Sequence, residues 1–207
     1  MSGQCIAVVS GKGGTGKTSV CAGIATALAE SGKRVLCVDC DVGLRNLDIS
    51  LGMSDCGGLS FLDVSEFGYE LENAPHHPIY DNLSFLTAPM NRSPEDINTE
   101  SFIALFQRAR ERFDYIFLDA PAGVDAGFRL VVTGAGPAAV RDAARVGELL
   151  ELAGKTNAKL IVNRVDKDLL STVRLTIDDV MDTTGTPLAG VVPEDPNMTL
   201  SAAFGSP

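Results

Sequence analysis

Residues 10–19 read SGKGGTGKTS, and this stretch decides the fold. It matches the pattern G-x-x-x-x-G-K-[ST], in which backbone N–H groups of a glycine-rich loop surround phosphate oxygens. In this pattern Lys17 supplies a positive charge to the β- and γ-phosphates, and the Thr18 hydroxyl is suited to bind Mg²⁺. The residues predicted to bind phosphate are Gly11, Lys12, Gly13, Gly14, Thr15, Gly16, Lys17, Thr18 and Ser19.

The sequence on both sides of this loop has the order that phosphate binding requires. The apolar run 5–9 precedes it and predicts a buried strand. Apolar residues at helical spacing follow it and predict a helix that Gly32 ends as a C-terminal cap. The N–H groups of that helix would then point at a bound anion. The alternative, a glycine-rich turn with accidental lysines, does not account for this order.

The composition indicates the general class of protein. The chain has 207 residues, of which 45% are hydrophobic, and we expect residues 1–207 to form one domain. No run approaches the roughly 20 apolar residues that span a bilayer, and the immediate strand predicts no signal peptide. Five cysteines without disulfide spacing favour a reducing cytoplasm. The net charge of −10 argues against a large non-specific nucleic-acid surface, so we expect no nucleic-acid partner.

Apolar runs alternate with helical patterns along the chain. This alternation predicts an α/β fold with a mostly parallel open sheet of about seven strands and helices on both faces. After the first strand, the predicted strands are 34–39, 83–87, 115–119, 130–133, 159–163 and 188–192. After the first helix, the predicted helices are 59–67, 93–113 with Pro94 at its first position, 138–153 and 176–183.

Three aspartates lie at or just after the ends of predicted strands. Asp119 ends the run 115–119, Asp39 ends the second strand, and Asp41 lies two residues further on. Ligands of open α/β sheets bind at the carboxyl edge, so Asp119 is predicted to hold Mg²⁺ directly or through a water. The alternative is an aspartate that merely ends a strand. Asp39 and Asp41 would face the same side of an extended chain, where carboxylates serve as metal ligands or position water.

The loop also carries a second lysine, and this resembles a known family. The pattern K-G-G-x-G-K-T, with Lys12 ahead of Lys17, resembles the deviant Walker A loop of the MinD/ParA ATPases, which are SIMIBI-type P-loop NTPases. Residues 38–48, VDCDVGLRNLD, resemble switch I of the MinD-like members, and residues 119–125, DAPAGVD, resemble their switch II. The resemblance covers nearly the whole chain. It implies ATP or ADP and Mg²⁺ as cofactors.

The resemblance also assigns roles to individual residues. It implies that Lys12 reaches the nucleotide of a partner subunit, and hence an ATP-dependent homodimer. Asp41 would orient the attacking water, so that Lys12, Lys17 and Asp41 form the catalytic set. Asp39 would support Mg²⁺ or the loop, completing a metal site with Thr18 and Asp119. The residues implied at the dimer or partner interface are Lys12, Asn46, Asp125 and Asp142. Arg45, Asn46 and Asp48 could instead be ordinary surface-loop residues.

A second set of residues is implied to bind the base. Asn163 and Arg164 follow a predicted strand at the family's base-recognition position. An asparagine amide can pair with the N6/N7 edge of adenine, and an arginine can stack on its face. Residues 192–195, VPED, resemble the loop that closes over the adenine, which adds Pro193 and Glu194. The alternative for Asn163 and Arg164 is a polar strand-to-helix loop.

Two further patterns receive plainer interpretations. Cys37 and Cys40 invite a metal or redox reading, but residues three apart on a strand point to opposite faces. We therefore predict two buried cysteines that pack as small apolar residues. His76 and His77 lack the helical spacing of a zinc site, and we predict a surface loop.

The chain departs from the family in two places. Few residues separate Gly123 from the strand at 130–133. The family has a helix at this place, and this chain is about two turns too short for it. Residues 205–207 resemble a loop near the start of the family's last third. We therefore expect the family's C-terminal region, including the amphipathic helix that lies on the membrane, to fall outside this chain.

Taken together, the residues and the resemblance predict a function. They imply a slow, partner-stimulated ATPase that dimerises on ATP and positions the cell-division site. A MinC-like inhibitor and a MinE-like activator would be its partners, in the cytoplasm or peripherally at the inner face of the membrane. The alternatives are a related ATPase for flagellar placement or DNA and cargo partition, a non-hydrolysing scaffold, and a biosynthetic ligase built on the same loop.

Overall fold

Strands and helices alternate along the computed structural model, which describes residues 2–42, 46–90, 92–121, 126–173 and 175–198. The elements are β1 (Gln4–Val9), α1 (Lys17–Glu30), β2 (Val35–Asp39), α2 (Leu47–Ser50), α3 (Phe61–Ser65), β3 (Leu83–Leu86), α4 (Thr99–Arg112), β4 (Tyr115–Asp119), β5 (Phe128–Gly134), α5 (Pro137–Leu152), β6 (Ala158–Val165), α6 (Lys167–Val173), α7 (Ile177–Thr184) and β7 (Leu188–Pro193). None of these helices combines the length and the apolarity that a membrane crossing requires.

The described strands form one seven-stranded sheet in the order β3-β2-β4-β1-β5-β6-β7. Every neighbouring pair is parallel. Strands β2, β3 and β4 lie on one side of β1, and the later strands β5, β6 and β7 lie on the other side. Ligands of open α/β sheets bind at such a reversal of strand order, so the loop after β1 opens where a site is expected. The predicted α/β fold with about seven strands is confirmed.

Apolar side chains cover both faces of this sheet. Leu36 and Val38 of β2 belong to one buried cluster, together with residues of α3, α4 and α5. Val35 and Cys37 of the same strand belong to a second cluster, with residues of α1. Cys40 lies in the first cluster, so the two cysteines are buried on opposite faces, as the strand alternation predicts.

The start of α4 differs from its prediction. The sequence places the helix start at residues 93–96, but Pro94–Asp96 form a separate 3₁₀ turn and α4 begins at Thr99. The Ser93 N–H donates to Asp96 Oδ2 at 2.9 Å, which closes the turn on itself. Asn98 then caps the helix, because its Oδ1 accepts hydrogen bonds from the N–H groups of Glu100 and Ser101.

The connection from β4 to β5 is short. Residues 120–127 link two strands that flank β1, whereas parallel crossovers usually take a dozen or more residues with a helix. Asn157 Nδ2 donates to Gly127 O at 2.9 Å and ties the end of this connection to the start of β6. These strand bounds agree with the short connection indicated by the sequence, although residues 122–125 lie outside the described residues.

The surface-loop prediction holds for His76 but is wrong for His77. His76 is exposed, whereas His77 is 1% exposed. His77 Nδ1 accepts hydrogen bonds from the N–H groups of Ile79 and Tyr80, so Nε2 carries the proton and donates to Leu51 O at 2.9 Å. The ring is therefore a neutral cross-link between two loops. Burial lowers the pKa of His77, while the bond to Leu51 acts in the opposite direction.

We expect this burial to make the protein less stable in acid. Because the pKa of His77 is lower in the folded state, the unfolded chain binds more protons as the pH falls below about 6.5. The contribution is present above that pH and is lost as the pH falls. Denaturant titrations between pH 7 and pH 5 should therefore show a smaller loss of unfolding free energy for His77→Gln than for the wild type. The exposed-residue control His76→Gln should follow the wild type, and equal slopes for all three proteins would contradict the prediction.

Candidate functional site

The glycine-rich loop runs from the end of β1 to the first residue of α1. Gly14 and Gly16 have φ of 81° and 86°, a left-handed conformation that side chains disfavour. The hydroxyls of Ser10 and Thr15 donate to the carbonyl of Lys12 at 3.1 and 3.4 Å, which fixes the middle of the loop. The free N–H groups at the start of α1 lie beside this loop, as in sites that bind phosphate.

Lys17, Thr18 and Asp119 meet at the carboxyl edge of the sheet. Thr18 Oγ1 donates to Asp119 Oδ2 at 2.7 Å. Lys17 Nζ lies 3.2 Å from Asp119 Oδ1 as an ion pair. Asp119 is only 2% exposed, and no described donor makes a well-aligned hydrogen bond to its Oδ1. A buried carboxylate oxygen that lacks such a donor, next to a hydroxyl, fits the oxygen ligands that Mg²⁺ prefers.

This set contains too few protein ligands to hold a metal ion alone. Among the described residues, no group of three or more His, Cys, Asp and Glu side chains is arranged to hold one. Mg²⁺ usually keeps several waters and binds through one or two protein groups and substrate phosphates. The arrangement of Thr18 and Asp119 therefore fits an ion that arrives with a nucleotide.

Asp39 is placed beside Asp119, but its oxygens contact the following loop. The two residues are register partners on β2 and β4. Asp39 Oδ1 accepts from the N–H of Asp41 at 2.9 Å, and Oδ2 accepts from Asn46 and Leu47 at 3.3 Å. Burial, aided by the charge of Asp119, raises the pKa of Asp39 to about 6 against the effect of these donors. These contacts support the loop-holding role, and metal ligation by Asp39 stays a prediction.

The remaining predicted catalytic and interface residues differ in how exposed they are. Asp41 is partly buried next to Asp39, and Lys12 and Asn46 are exposed. Asp142 on α5 packs against the loop so closely that a Cβ on Gly11 would lie 2.4 Å from its carbonyl oxygen. Asp125 lies outside the described residues.

A cavity of about 620 Å³ opens beside the loop, and it contains the predicted base-binding residues. Its lining includes Gly14, Gly16, Ser19, Asn163, Arg164, Pro193 and Glu194. Apolar side chains that sequence reasoning did not assign to a site also line it: Val20, Ile24, Val192 and Met198. Helical periodicity predicts that Val20 and Ile24 are core residues. Only the proximity of α1 to the end of β7 shows that they also line the cavity. A cavity of apolar walls with a few polar groups suits a planar base.

Asn163 and Arg164 contact protein groups at the rim of this cavity. Asn163 Nδ2 donates to Thr15 O at 2.9 Å. Arg164 forms a two-pronged ion pair with Glu194, with Nε–Oε2 at 2.8 Å and Nη2–Oε1 at 3.0 Å. The hydrogen bond from Arg164 lowers the pKa of Glu194. The guanidinium therefore joins the ends of β6 and β7, and its predicted stacking on adenine stays untested.

These features define a P-loop nucleotide-binding protein, because a glycine-rich loop, a lysine, a threonine and a strand-end aspartate meet at the centre of a parallel sheet. The model of the family described as "CobQ/CobB/MinD/ParA nucleotide binding domain" matches residues 6–207. The chain belongs to this family.

Individual relatives place the chain near MinD. The septum site-determining protein MinD of Synechocystis sp. is 38% identical over 215 residues, covering 99% of this chain and 81% of that protein. A chain of the MinC:MinD cell division protein complex from Aquifex aeolicus superposes with a TM-score of 0.88 at 33% identity, covering 99% of this chain and 86% of that chain. MinD of Pyrococcus horikoshii complexed with Mg-ADP superposes with a TM-score of 0.78 at 29% identity, with the same coverages.

The comparisons confirm the predicted MinD-like member of the MinD/ParA ATPases and its cofactors. A structure of a relative contains Mg-ADP, in agreement with the donor set at Thr18 and Asp119. The family is one of ATPases, and the matched relatives support a MinD-like ATPase in division-site placement.

Proposed function

We propose that the protein is a MinD-like ATPase whose bound nucleotide times its self-association, and that it helps to position the cell-division site. The observation that carries the proposal is the contact of Lys17 and Thr18 with buried Asp119, directly after a loop that has a second, exposed lysine. Residues 1–207 would act as one ATPase domain. Its function would require ATP in the cavity beside α1 and phosphates against the loop.

Each residue of the loop would perform a definable step. The ion pair of Lys17 with Asp119 neutralises both charges in the absence of phosphate. A triphosphate would compete for the Lys17 ammonium and leave Asp119 Oδ1 free toward Mg²⁺, which supplies charge neutralisation at the phosphates. Thr18 stays oriented through its bond to Asp119 Oδ2. Asp41, held next to Asp39 by its own N–H, would orient the attacking water.

Association would depend on the predicted interface residues, of which Lys12 and Asn46 are exposed in the single subunit. Lys12 would extend to the phosphates of the partner subunit, with Asn46, Asp125 and Asp142 near the same interface. Hydrolysis and phosphate release would remove the charge that Lys12 binds, and so weaken the dimer. The nucleotide state would thus set the population of the dimer.

The partners follow from the relatives and not from the site. The Aquifex complex of MinC with MinD supports a MinC-like partner for this protein. Slow turnover that a MinE-like activator stimulates, and peripheral membrane attachment through a C-terminal amphipathic helix, are proposed from the family resemblance alone. Sedimentation of the full-length protein with anionic vesicles, with and without ATP, would test the attachment.

A phosphate-release assay tests the proposed activity. Purified protein is expected to release phosphate slowly from ATP, to stop when Mg²⁺ is chelated, and to form dimers with ATP but not with ADP. Binding of ATP with no release, with or without a partner protein, would favour the non-hydrolysing scaffold instead. DNA binding at physiological salt would favour a partition ATPase, which the charge of −10 disfavours.

A further inference from the structure

Strand β6 contains a one-residue irregularity just before it ends. Leu160, Val162 and Val165 all belong to the same buried cluster, although strict alternation would place residue 164 there and not residue 165. The register with β7 shifts between Val162 and Val165. Arg164 has a φ of 57°, the positive value of an extra residue accommodated in a strand. Residues 163–164 therefore form a bulge, which we call the β6 bulge.

Asn163, at the start of the β6 bulge, faces the side of the sheet that holds α1 and the phosphate loop, as strand alternation from Ile161 places it. Ile161, two residues earlier, packs in the cluster that contains α1. Asn163 is 6% exposed, and its Nδ2 donates to Thr15 O. A Cβ added to Gly16 would lie 2.2 Å from the same Nδ2, so the contact needs glycine at this position of the loop.

The contact extends from Thr15 to the second lysine of the loop. Thr15 Oγ1 donates to the carbonyl of Lys12, so one residue receives a hydrogen bond from β6 and passes another to the start of the loop. Without Asn163, the buried Thr15 carbonyl would lose its hydrogen-bond donor, and this loss costs free energy. The position of Asn163 therefore bears on the shape of the loop from Thr15 back to Lys12.

Asn163 also lines the cavity predicted to hold the base. A side-chain amide has two N–H donors and an acceptor oxygen, and Thr15 uses only one donor. The second N–H and Oδ1 are the groups that an adenine edge requires. The neighbouring Arg164 is held by Glu194, so the rim that carries Asn163 is fixed on its other side.

We propose that Asn163 is a positioning residue that couples occupation of the base cavity to the geometry of the phosphate loop. This inference rests on the proposed nucleotide-binding function and adds a role that base recognition alone does not include. A residue that only reads the base affects the binding of ATP but not of a phosphate chain without a base. A residue that holds Thr15 affects both.

Mg-tripolyphosphate separates these roles because it has phosphates and no base. In calorimetric titrations, Asn163→Ala is expected to bind Mg-tripolyphosphate about tenfold more weakly than the wild type, as befits a lost hydrogen bond to a buried carbonyl. With ATP, the variant is expected to lower kcat and to raise KM. Asn163→Leu is similar in size and uncharged but lacks the N–H, and it should behave in the same way.

Asn157→Ala is the matched control. Asn157 also donates its amide Nδ2 to a backbone carbonyl at 2.9 Å, next to the opposite end of β6. It should leave the affinity for Mg-tripolyphosphate unchanged. Wild-type affinity for Mg-tripolyphosphate in both Asn163 variants, or equal losses in Asn157→Ala, would overturn the coupling while leaving the proposed function intact. A wild-type protein that binds neither ATP nor Mg-tripolyphosphate would overturn both.

Discussion

Asp119→Asn is expected to lower ATP hydrolysis by about 100-fold, a loss typical of removing one preorganised electrostatic group. Asparagine has the size of aspartate but no charge. The substitution removes the partner of Lys17 at 3.2 Å and the buried carboxylate oxygen that faces the predicted Mg²⁺ position. Nucleotide affinity should also lose most of its dependence on Mg²⁺. Phosphate release at saturating ATP, and ATP titrations with and without Mg²⁺, measure the two effects.

Asp114→Asn is the control for this prediction. Asp114 lies immediately before β4, whose last residue is Asp119, and it pairs with Arg34 at 2.9 Å. Both members of that pair are substantially exposed, so the pair contributes little to folding. Asp114→Asn should hydrolyse ATP as the wild type does. Undiminished hydrolysis by a folded Asp119→Asn protein would remove Asp119 from the metal site and leave it as a residue that merely ends a strand.

The sequence predicts Asp119 and the fold around it because the deciding features are local. The central strands β1 and β4 are buried on both faces, so they are continuous apolar runs at 5–9 and 115–118, and each can be recognised without knowing its neighbours. The loop motif then joins β1 to α1 in a fixed order. Since carboxyl ends of parallel strands meet at one edge, a strand-end aspartate and the loop must lie close together.

Features that depend on distant contacts are not predictable in this way. The bond from Asn163 to Thr15 joins residues 148 apart in sequence, and the β6 bulge at residues 163–164 has no local signature beyond a polar pair. His77 is buried beside Leu51, whose carbonyl accepts a hydrogen bond from the ring Nε2. In both cases the residue type admits several environments, and only the packing of other segments selects one.

Lys12→Ala is expected to abolish the ATP-dependent dimer while the monomer still binds Mg-ATP. Lys12 is exposed, whereas Lys17 is already paired with Asp119 in its own subunit. The charge of Lys12 is therefore free of the contacts that hold the site together, and its loss should leave Thr18 and Asp119 in place. The carbonyl of Lys12, which accepts the two loop hydrogen bonds, belongs to the backbone and is kept in the variant. Sedimentation velocity with Mg-ATP and with Mg-ADP measures the dimer.

Lys33→Ala tests whether any lost lysine would have the same effect. Lys33 is also exposed and lies just beyond the other end of α1, remote from the phosphate loop along the helix. It should form the ATP-dependent dimer as the wild type does. The role of Lys12 across the interface predicts a specific pattern: normal ATP binding, no dimer, and hydrolysis that no longer rises with protein concentration. A Lys12→Ala protein that still dimerises on ATP would show that the second lysine acts within its own subunit, and the self-association would then have to be assigned to the surface around Asn46 and Asp142.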